Sequence, residues 1–316
     1  MKRKKLTFGT AGLLMLLLLA GGCSSLPKEE RETRTSEIRN RAAEYAASGN
    51  SYLAGGNTAM AENFFVMSRD LNISIDNRKG LAESYNSLGK LYLSTGKIQA
   101  AEENFRQAEE ISQELGDPEL EAQCLGHRGE LFLFQGEVEQ ALALFRQGLV
   151  LVNPKDSPDV SAVLYHNQAG ALKQLNRWDE AIESVSQAIR LNEKLERYSE
   201  LAANNYLMAS LYSKKEDYGQ AALYALKALE NDKIIENTLN IGQDLYALGL
   251  IQRKAGNLSS AHDFFRRAFL VYESLGRNDR MLSTLDALEA AAAELHLEKE
   301  AAVYRDARQK LESAQQ

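Results

Sequence analysis

The chain has few of the residues that build disulfides or metal sites. Its 316 residues include two cysteines, Cys23 and Cys124, and four histidines. Cys23 is assigned below to a modified N-terminus, so Cys124 has no cysteine to pair with in the mature chain and is expected to be a small buried residue. The histidines are His127, His166, His262 and His296. None has a second histidine or cysteine at helical metal-ligand spacing, so the sequence predicts no metal site.

Motifs of the common enzyme classes are also missing. The sequence contains no glycine-rich phosphate loop, no nucleophile elbow and no cysteine run of the ferredoxin type. Adjacent acids such as Glu102 and Glu103 fall on otherwise polar helix faces, where solvated charge is the ordinary arrangement. We therefore expect neither catalysis nor a bound cofactor.

Positive charge is scarce. The chain has 37 basic and 44 acidic residues, a net charge of −7 at pH 7. Without residues 1–22, which hold four basic and no acidic residues, 33 basic residues stand against 44 acidic ones, a net charge of −11. Nucleic-acid binding needs cations that displace the counterions of the phosphate backbone. Nucleic acid is therefore not an expected partner.

The N-terminus has the features of an export signal. Four basic residues precede an apolar stretch over residues 6–20, which is shorter than the ~20 residues that span a bilayer. Ala20, Gly21 and Gly22 followed by Cys23 resemble the lipobox of bacterial lipoproteins, although that family prefers leucine three residues before the cysteine. The resemblance implies that residues 1–22 are a signal peptide and that Cys23 is acylated, as with palmitate. An ordinary secretory signal with an incidental cysteine is the alternative.

The residues after Cys23 bear on where the protein is anchored. Two or more acyl chains give stable anchoring where one is marginal. Ser24 follows the cysteine, and resemblance to enteric lipoproteins then favours the outer membrane, with the body facing the periplasm. Residues 23–40 are polar and charged as far as about Arg34, with Pro27 among them. They are predicted to form a mobile tether that runs into the first helix.

Residues 41–280 repeat with a period of 40. A small residue marks each unit: Gly49, Gly89, Gly129, Ala169, Ala209 and Gly249. Twelve residues later every unit has an alanine: Ala61, Ala101, Ala141, Ala181, Ala221 and Ala261. A mainly aromatic column follows four residues on: Phe65, Phe105, Phe145, Val185, Ala225 and Phe265. This spacing puts apolar residues on one helix face, and Gly56, Gly96, Gly136 and Gly256 break the pattern midway. Each unit is predicted to be two antiparallel helices.

These columns resemble the tetratricopeptide repeat, whose pattern has small, aromatic, glycine, alanine and aromatic positions in this order. The fourth and fifth units lack the glycine and the second aromatic but keep the alanine. Forty residues exceed the usual 34 by about one and a half helical turns. The resemblance implies an all-α fold, a right-handed α-α superhelix (a solenoid) of stacked antiparallel helix hairpins. Six repeats are expected over residues 41–280, and residues 281–316, where the columns decay, are expected to form a capping hairpin.

In this family the first helices of the hairpins line a groove that binds partners. By resemblance its contact positions are Asn86, Lys90, His127, Glu130, His166, Asn167, Lys173, Tyr206, Lys214, Tyr246 and Arg253. Lys173, Lys214, Arg253 and Lys254 place positive charge toward its C-terminal half, which favours an acidic segment or a carboxyl terminus. That these are simply solvated residues is the alternative interpretation.

Three functional hypotheses follow from an anchored repeat protein. The leading one is a scaffold or adaptor that binds a peptide segment or helix of another protein during assembly of an envelope complex of the pilus, secretion or outer-membrane assembly type. The second is an accessory lipoprotein that binds a ligand together with a periplasmic solute-binding protein or transporter, and it predicts a closed, apolar-lined pocket. The third is a regulator of peptidoglycan hydrolases.

Overall fold

The structure, a computed structural model, describes residues 28–314, so the predicted signal peptide and Cys23 lie outside the described residues. The described chain forms fourteen α-helices and no strand, which confirms the all-α prediction. The helices are α1 (Lys28–Ala54), α2 (Thr58–Ser74), α3 (Arg78–Ser94), α4 (Ile98–Leu115), α5 (Pro118–Gln135), α6 (Val138–Leu151), α7 (Pro158–Gln174), α8 (Trp178–Lys194), α9 (Tyr198–Lys214), α10 (Tyr218–Ile234), α11 (Thr238–Lys254), α12 (Leu258–Ser274), α13 (Asn278–Glu294) and α14 (Glu298–Ser313). None of these helices is both long enough and apolar enough to cross a bilayer.

Helix α1 begins earlier than the sequence predicts. Residues 28–34, assigned above to a mobile tether, are helical. Glutamate and arginine are good helix formers, and Glu29 and Glu30 lie in the first turn, where the helix dipole favours negative charge. The Thr33 hydroxyl donates to the Glu29 carbonyl at 2.9 Å. Because the side chains of residues 29–34 are exposed, the polarity of this stretch reflects a solvated helix, and the tether prediction is wrong for these residues.

Helix boundaries recur every 20 residues. From α2 onward the helices begin at Thr58 and then at every twentieth position up to Glu298. Most of them are 17 residues long and are separated by three-residue turns. Each 40-residue unit therefore consists of two nearly equal halves. The residues that a 40-residue unit has in addition to the usual 34 therefore lengthen the helices and not the turns between them.

One turn geometry joins these helices. At every described connection except the one between α6 and α7, a residue with positive φ follows the helix end. At Gly96, whose φ is 72°, the next amide, of Lys97, donates to the Tyr92 carbonyl at 2.8 Å, the bond that closes a helix C-terminus. Asn176 and Glu216, where the sequence lacks the glycine, take the same conformation with φ of 59° and 62°. Their strain, on the order of 1 kcal/mol each, does not change the turn.

The chain forms two compact units, the first ending at Leu91 and the second beginning at Tyr92. In the first unit α1 packs against α2, and Phe65 is fully buried. In the second unit five hairpins pack within themselves and each against the next: α5–α6, α7–α8, α9–α10, α11–α12 and α13–α14. First helices also touch across hairpins, α5 with α7 and α7 with α9. The prediction of stacked helix hairpins is thereby confirmed.

Pairs of small and large residues allow the helices of a hairpin to approach closely. A Cβ atom added to Gly129 in α5 would lie 2.3 Å from Cε1 of Phe145 in α6, so only glycine leaves room for that ring. At the equivalent positions of the next hairpin Ala169 is combined with Val185, and both are fully buried. A larger residue on one helix thus accompanies a smaller one on the other.

The last hairpin keeps the helix spacing although the sequence columns decay. Ala301 is the buried residue of α14, and most other side chains of that helix are exposed or half-buried. Arg305 donates to Glu289 of α13 at 2.7 Å, and Arg308 forms an ion pair with Asp286. The cap role of this hairpin stays a prediction, and it requires a charged outer face of this kind.

Candidate interaction groove

A pocket of about 360 Å³ lies in the second unit, between α7, α9, α10 and α11. We call it the α7–α11 pocket. Its polar lining includes His166 and Lys173 from α7, Tyr206 from α9, Asp232 from α10 and Asp244 from α11. The first three of these are among the eleven predicted groove residues, so the structure brings part of the predicted set together.

The predicted residues of this pocket differ in how available they are to a partner. Tyr206 is 44% exposed, while His166 Nδ1 lies 2.6 Å from Oδ1 of buried Asn204. Burial lowers the pKa of Lys173, and the nearby positive charge of Lys214 lowers it further. The pocket therefore offers a partner one exposed aromatic ring and one half-buried amine.

Three other predicted groove residues bind one another. Asn167 of α7 donates to Oε1 of Glu130 of α5 at 2.8 Å. His127 Nδ1 lies 3.5 Å from the other oxygen of the same carboxylate, and the His127 ring stacks on Phe105 with centroids 5.7 Å apart. These contacts join α5 to α7, so the polar groups of this trio are engaged within the protein.

The predicted positive C-terminal half of the groove needs a correction at Arg253. Its guanidinium binds the carboxylate of Glu294 in α13, with Nε 3.0 Å from Oε1. The contact raises the pKa of Arg253 and lowers that of Glu294. Tyr246 is half-buried, its ring 5.4 Å from that of Phe265. Arg253 therefore adds little net charge to the groove, because Glu294, 41 positions along the chain, neutralises it.

Asn86 and Lys90 belong to α3 in the first unit. Lys90 is exposed, but Asn86 is 5% exposed and presents little surface to a partner. This unit has its own pocket of about 470 Å³, bounded by α1, α2 and α3, with Asn72, Gly80 and Ser84 in its lining. We call it the α1–α3 pocket.

The α7–α11 pocket contains two carboxyl groups that sequence reasoning missed. Asp232 and Asp244 are 3% and 2% exposed, and they lie close enough for each to affect the pKa of the other. Asn240 Nδ2 donates to Asp232 Oδ1 at 3.3 Å. Burial raises the pKa of both groups, and the facing charge of Asp232 helps to bring that of Asp244 to about 8. At neutral pH Asp244 therefore keeps its proton.

Solved structures similar to this chain are helical repeat proteins. The apo form of RapI has a TM-score of 0.70 at 13% identity, covering 85% of this chain and 76% of that one. A signal-transduction ATPase with a tetratricopeptide repeat sensor from Pyrococcus horikoshii has a TM-score of 0.63 at 12% identity, covering 89% and 45%. PilW, a type IV pilus biogenesis factor, has a TM-score of 0.56 at 14% identity, covering 77% and 98%. Identities this low establish likeness of fold only.

Sequence comparison supplies the family. No sequence among the curated proteins matches the chain. Two family models, each described as tetratricopeptide repeat, match residues 41–114 and residues 162–195. The matched segments lie within the 40-residue repeats, and the structure forms the stacked hairpins that this repeat implies. The chain is a tetratricopeptide repeat protein.

Proposed function

We propose that this protein is a membrane-anchored, non-enzymatic scaffold whose α7–α11 pocket binds a peptide segment or helix of a bacterial envelope component. The observation that carries the proposal is the pocket itself, in which three successive first helices and α10 present an exposed tyrosine, a half-buried lysine and buried acids at one place. Such a mixture of a few polar groups around an aromatic anchor is typical of recognition surfaces. The fold likeness to PilW, a pilus biogenesis factor, supports an envelope assembly.

The proposed anchor is a lipid on Cys23, in the outer membrane facing the periplasm. Replacing Cys23 by serine is expected to move the protein from the membrane fraction to the soluble periplasmic fraction and to abolish labelling with a palmitate analogue, because the acyl chains supply the membrane affinity. Cys124→Ala is the matched control, since Cys124 is buried and cannot carry a lipid. Membrane retention of the Cys23 variant would remove the anchor from the proposal.

Crosslinking in intact cells tests the binding surface. A photoreactive phenylalanine derivative at Tyr206 is expected to capture a defined envelope protein, whereas the same residue at Leu226 is not. The two positions are matched in exposure, at 44% and 47%, but Leu226 lies on α10 outside the pocket lining. Charge reversal of Lys173 and Lys214 to glutamate is expected to reduce the captured product at least tenfold, because Lys173 lines the pocket and the charge of Lys214 acts on Lys173.

The control for charge reversal is the pair Lys194→Glu and Lys233→Glu, two exposed lysines on the second helices α8 and α10. This pair changes the net charge equally and is expected to leave capture at Tyr206 unchanged. Two results would reject the pocket as the binding surface. One is equal capture from positions 206 and 226, and the other is an equal loss of captured product in the Lys173 and Lys214 variant and in the Lys194 and Lys233 variant.

The second candidate function is a ligand-binding accessory to a transporter. Its support is the pocket volume of about 360 Å³, within the ~300–1,000 Å³ range of small-molecule sites. The pocket, however, is an open depression with charged groups in its lining, whereas this candidate predicts a closed apolar one. A small molecule that remains bound to the purified protein in native mass spectrometry would favour it over the scaffold.

A further inference from the structure

The positions of Asp232 and Asp244 recur along the chain at the 40-residue period. The equivalent pairs are Asn72 and Ser84, Ser112 and Cys124, Val152 and Leu164, Asn192 and Asn204, Asp232 and Asp244, and Tyr272 and Thr284. All twelve residues are buried. Since amides, hydroxyls and purely apolar side chains occupy the same place in other hairpins, the fold does not require carboxyl groups there.

The α1–α3 pocket provides an internal comparison, because its residues stand 160 positions before those of the α7–α11 pocket. There the equivalent pair is satisfied within the protein. Asn72 Nδ2 donates to Ser84 Oγ at 3.1 Å, and Asn72 Oδ1 accepts a hydrogen bond from Asn77 Nδ2 at 2.7 Å. Ser84 Oγ donates to the Gly80 carbonyl at 2.8 Å. A polar pair at this place can therefore be fully hydrogen-bonded without a ligand.

The acid pair is not satisfied in this way. Oδ2 of Asp244 is buried and accepts no hydrogen bond from any described residue, although the residue lines the α7–α11 pocket. A buried oxygen without a hydrogen-bond partner is unfavourable. A donor that enters from the pocket would remove this deficit, and a positively charged donor would also offset the charge of the pair.

The surroundings define what kind of donor fits. The titratable groups that line the pocket beside the pair are His166 and Lys173 from α7 and Tyr206 from α9. The charge of Asp244 acts on Tyr206 and on Tyr272 of α12, and Arg280 of α13 acts on the same two tyrosines. The charge that acts on Asp244 is that of Asp232. Lys173 repels a second cation at the α7 wall, so an incoming cation is directed to the acids. The exposed ring of Tyr206 offers a surface for an aliphatic stem.

We propose that the α7–α11 pocket receives a lysine or arginine side chain of the protein partner, which donates hydrogen bonds to Asp232 and Asp244. This inference rests on the proposed function and specifies the chemistry of the partner. When the cation binds, the O–H bond of Asp244 breaks and its proton passes to solvent, while the lysine or arginine stays protonated. The partner segment predicted from the lysines is acidic, and the buried acids add one basic anchor residue to that segment.

The test uses the full-length protein in detergent and the peptide acetyl-Gly-Ser-Lys-Ser-Gly-amide, with its Kd measured by ligand-observed NMR. The same peptide with acetylated lysine is expected to bind at least tenfold more weakly. Between pH 6 and pH 8 the affinity of the lysine peptide is expected to rise by up to about tenfold per pH unit, because binding releases one proton.

The matched variant is the double substitution Asp232→Asn and Asp244→Asn. It recreates the Asn192 and Asn204 pair of the preceding repeat, so the fold tolerates it, and its helical circular dichroism is expected to be unchanged. Binding of the lysine peptide is expected to weaken at least tenfold, and the rise in affinity between pH 7 and pH 8 to disappear. Glu193→Gln with Glu230→Gln, two exposed acids, removes the same charge and is expected to have no effect.

Two outcomes overturn the inference. One is equal binding of the lysine and acetyl-lysine peptides, and the other is unchanged binding by the double asparagine variant. Neither outcome decides the proposed function, which depends on capture at Tyr206 and on Lys173 and Lys214. If that capture persists while the lysine peptide fails to bind, the scaffold proposal stands and the basic anchor is rejected.

Discussion

Phe145→Val is expected to lower the free energy of unfolding by about 2–4 kcal/mol, less than the ~3–5 kcal/mol of a typical Phe→Ala change because valine fills part of the space. Gly129→Ala is expected to lower it by up to about 2 kcal/mol. The added methyl group would lie 2.3 Å from the Phe145 ring, and overpacking of about 1–3 kcal/mol outweighs the gain of about 1 kcal/mol in helix propensity.

The double variant Gly129→Ala with Phe145→Val is expected to be about 1–3 kcal/mol more stable than the sum of the single effects. It recreates the Ala169 and Val185 pair of the next hairpin, in which a smaller side chain accommodates the larger residue opposite it. Unfolding in urea, followed by the fluorescence of Trp178, the one tryptophan of the chain, measures all three variants. Trp178 packs against the buried cluster that contains Phe145. If the effects of the two single substitutions on the free energy of unfolding simply add, the residues at positions 129 and 145 are not coupled.

This coupling explains why so much of the fold could be predicted from the sequence. The contacts that define a hairpin join positions 16 residues apart, such as Gly129 and Phe145, and they recur at a constant interval. Each unit therefore shows the same pattern of small and large residues. A unit in which one position of the pattern is replaced can still be recognised from the other units. Asn176 and Glu216 illustrate this point, because both turns form with a left-handed residue that is not glycine.

The parts of the groove that could not be predicted depend on contacts between hairpins. The pairing of Arg253 with Glu294 joins residues on α11 and α13 that no local pattern relates. Asp232 and Asp244 are only 12 positions apart, but their meaning appears only when they are compared with the amide, hydroxyl and apolar pairs at the same place in the other repeats. Such a comparison can be made from the sequence alone. The burial of the two acids and the unsatisfied oxygen of Asp244 could be seen only in the structure.

The start of α1 was mispredicted for a different reason. Composition distinguishes residues that avoid a core from residues that form one, and residues 29–34 do avoid a core. It does not distinguish a solvated helix from a flexible segment when the residues are good helix formers.

Asp244→Asn is expected to stabilise the protein at pH 8 and to have little effect near pH 4. The pKa of Asp244 is raised from 3.8 to about 8 by burial and by Asp232. Between these two values the folded state keeps a proton that the unfolded chain has released, so rising pH favours unfolding. Below pH 3.8 both states are protonated, and above about pH 8 both are ionised. The contribution of Asp244 to the free energy of unfolding is therefore fully present below pH 3.8 and is lost progressively up to about pH 8.

The measurement is the difference in unfolding free energy between Asp244→Asn and the unaltered protein, by urea denaturation from pH 4.5 to pH 8.5. That difference is expected to grow by up to about 1.4 kcal/mol per pH unit and then to level off. Glu230→Gln, which removes an exposed acid from α10, is expected to give a nearly flat difference. Amide hydrogen exchange in α10 and α11 locates the effect, because in a repeat array each hairpin is stabilised mainly by its neighbours. A difference for Asp244→Asn that does not change with pH would mean that Asp244 does not keep its proton in the folded protein at neutral pH.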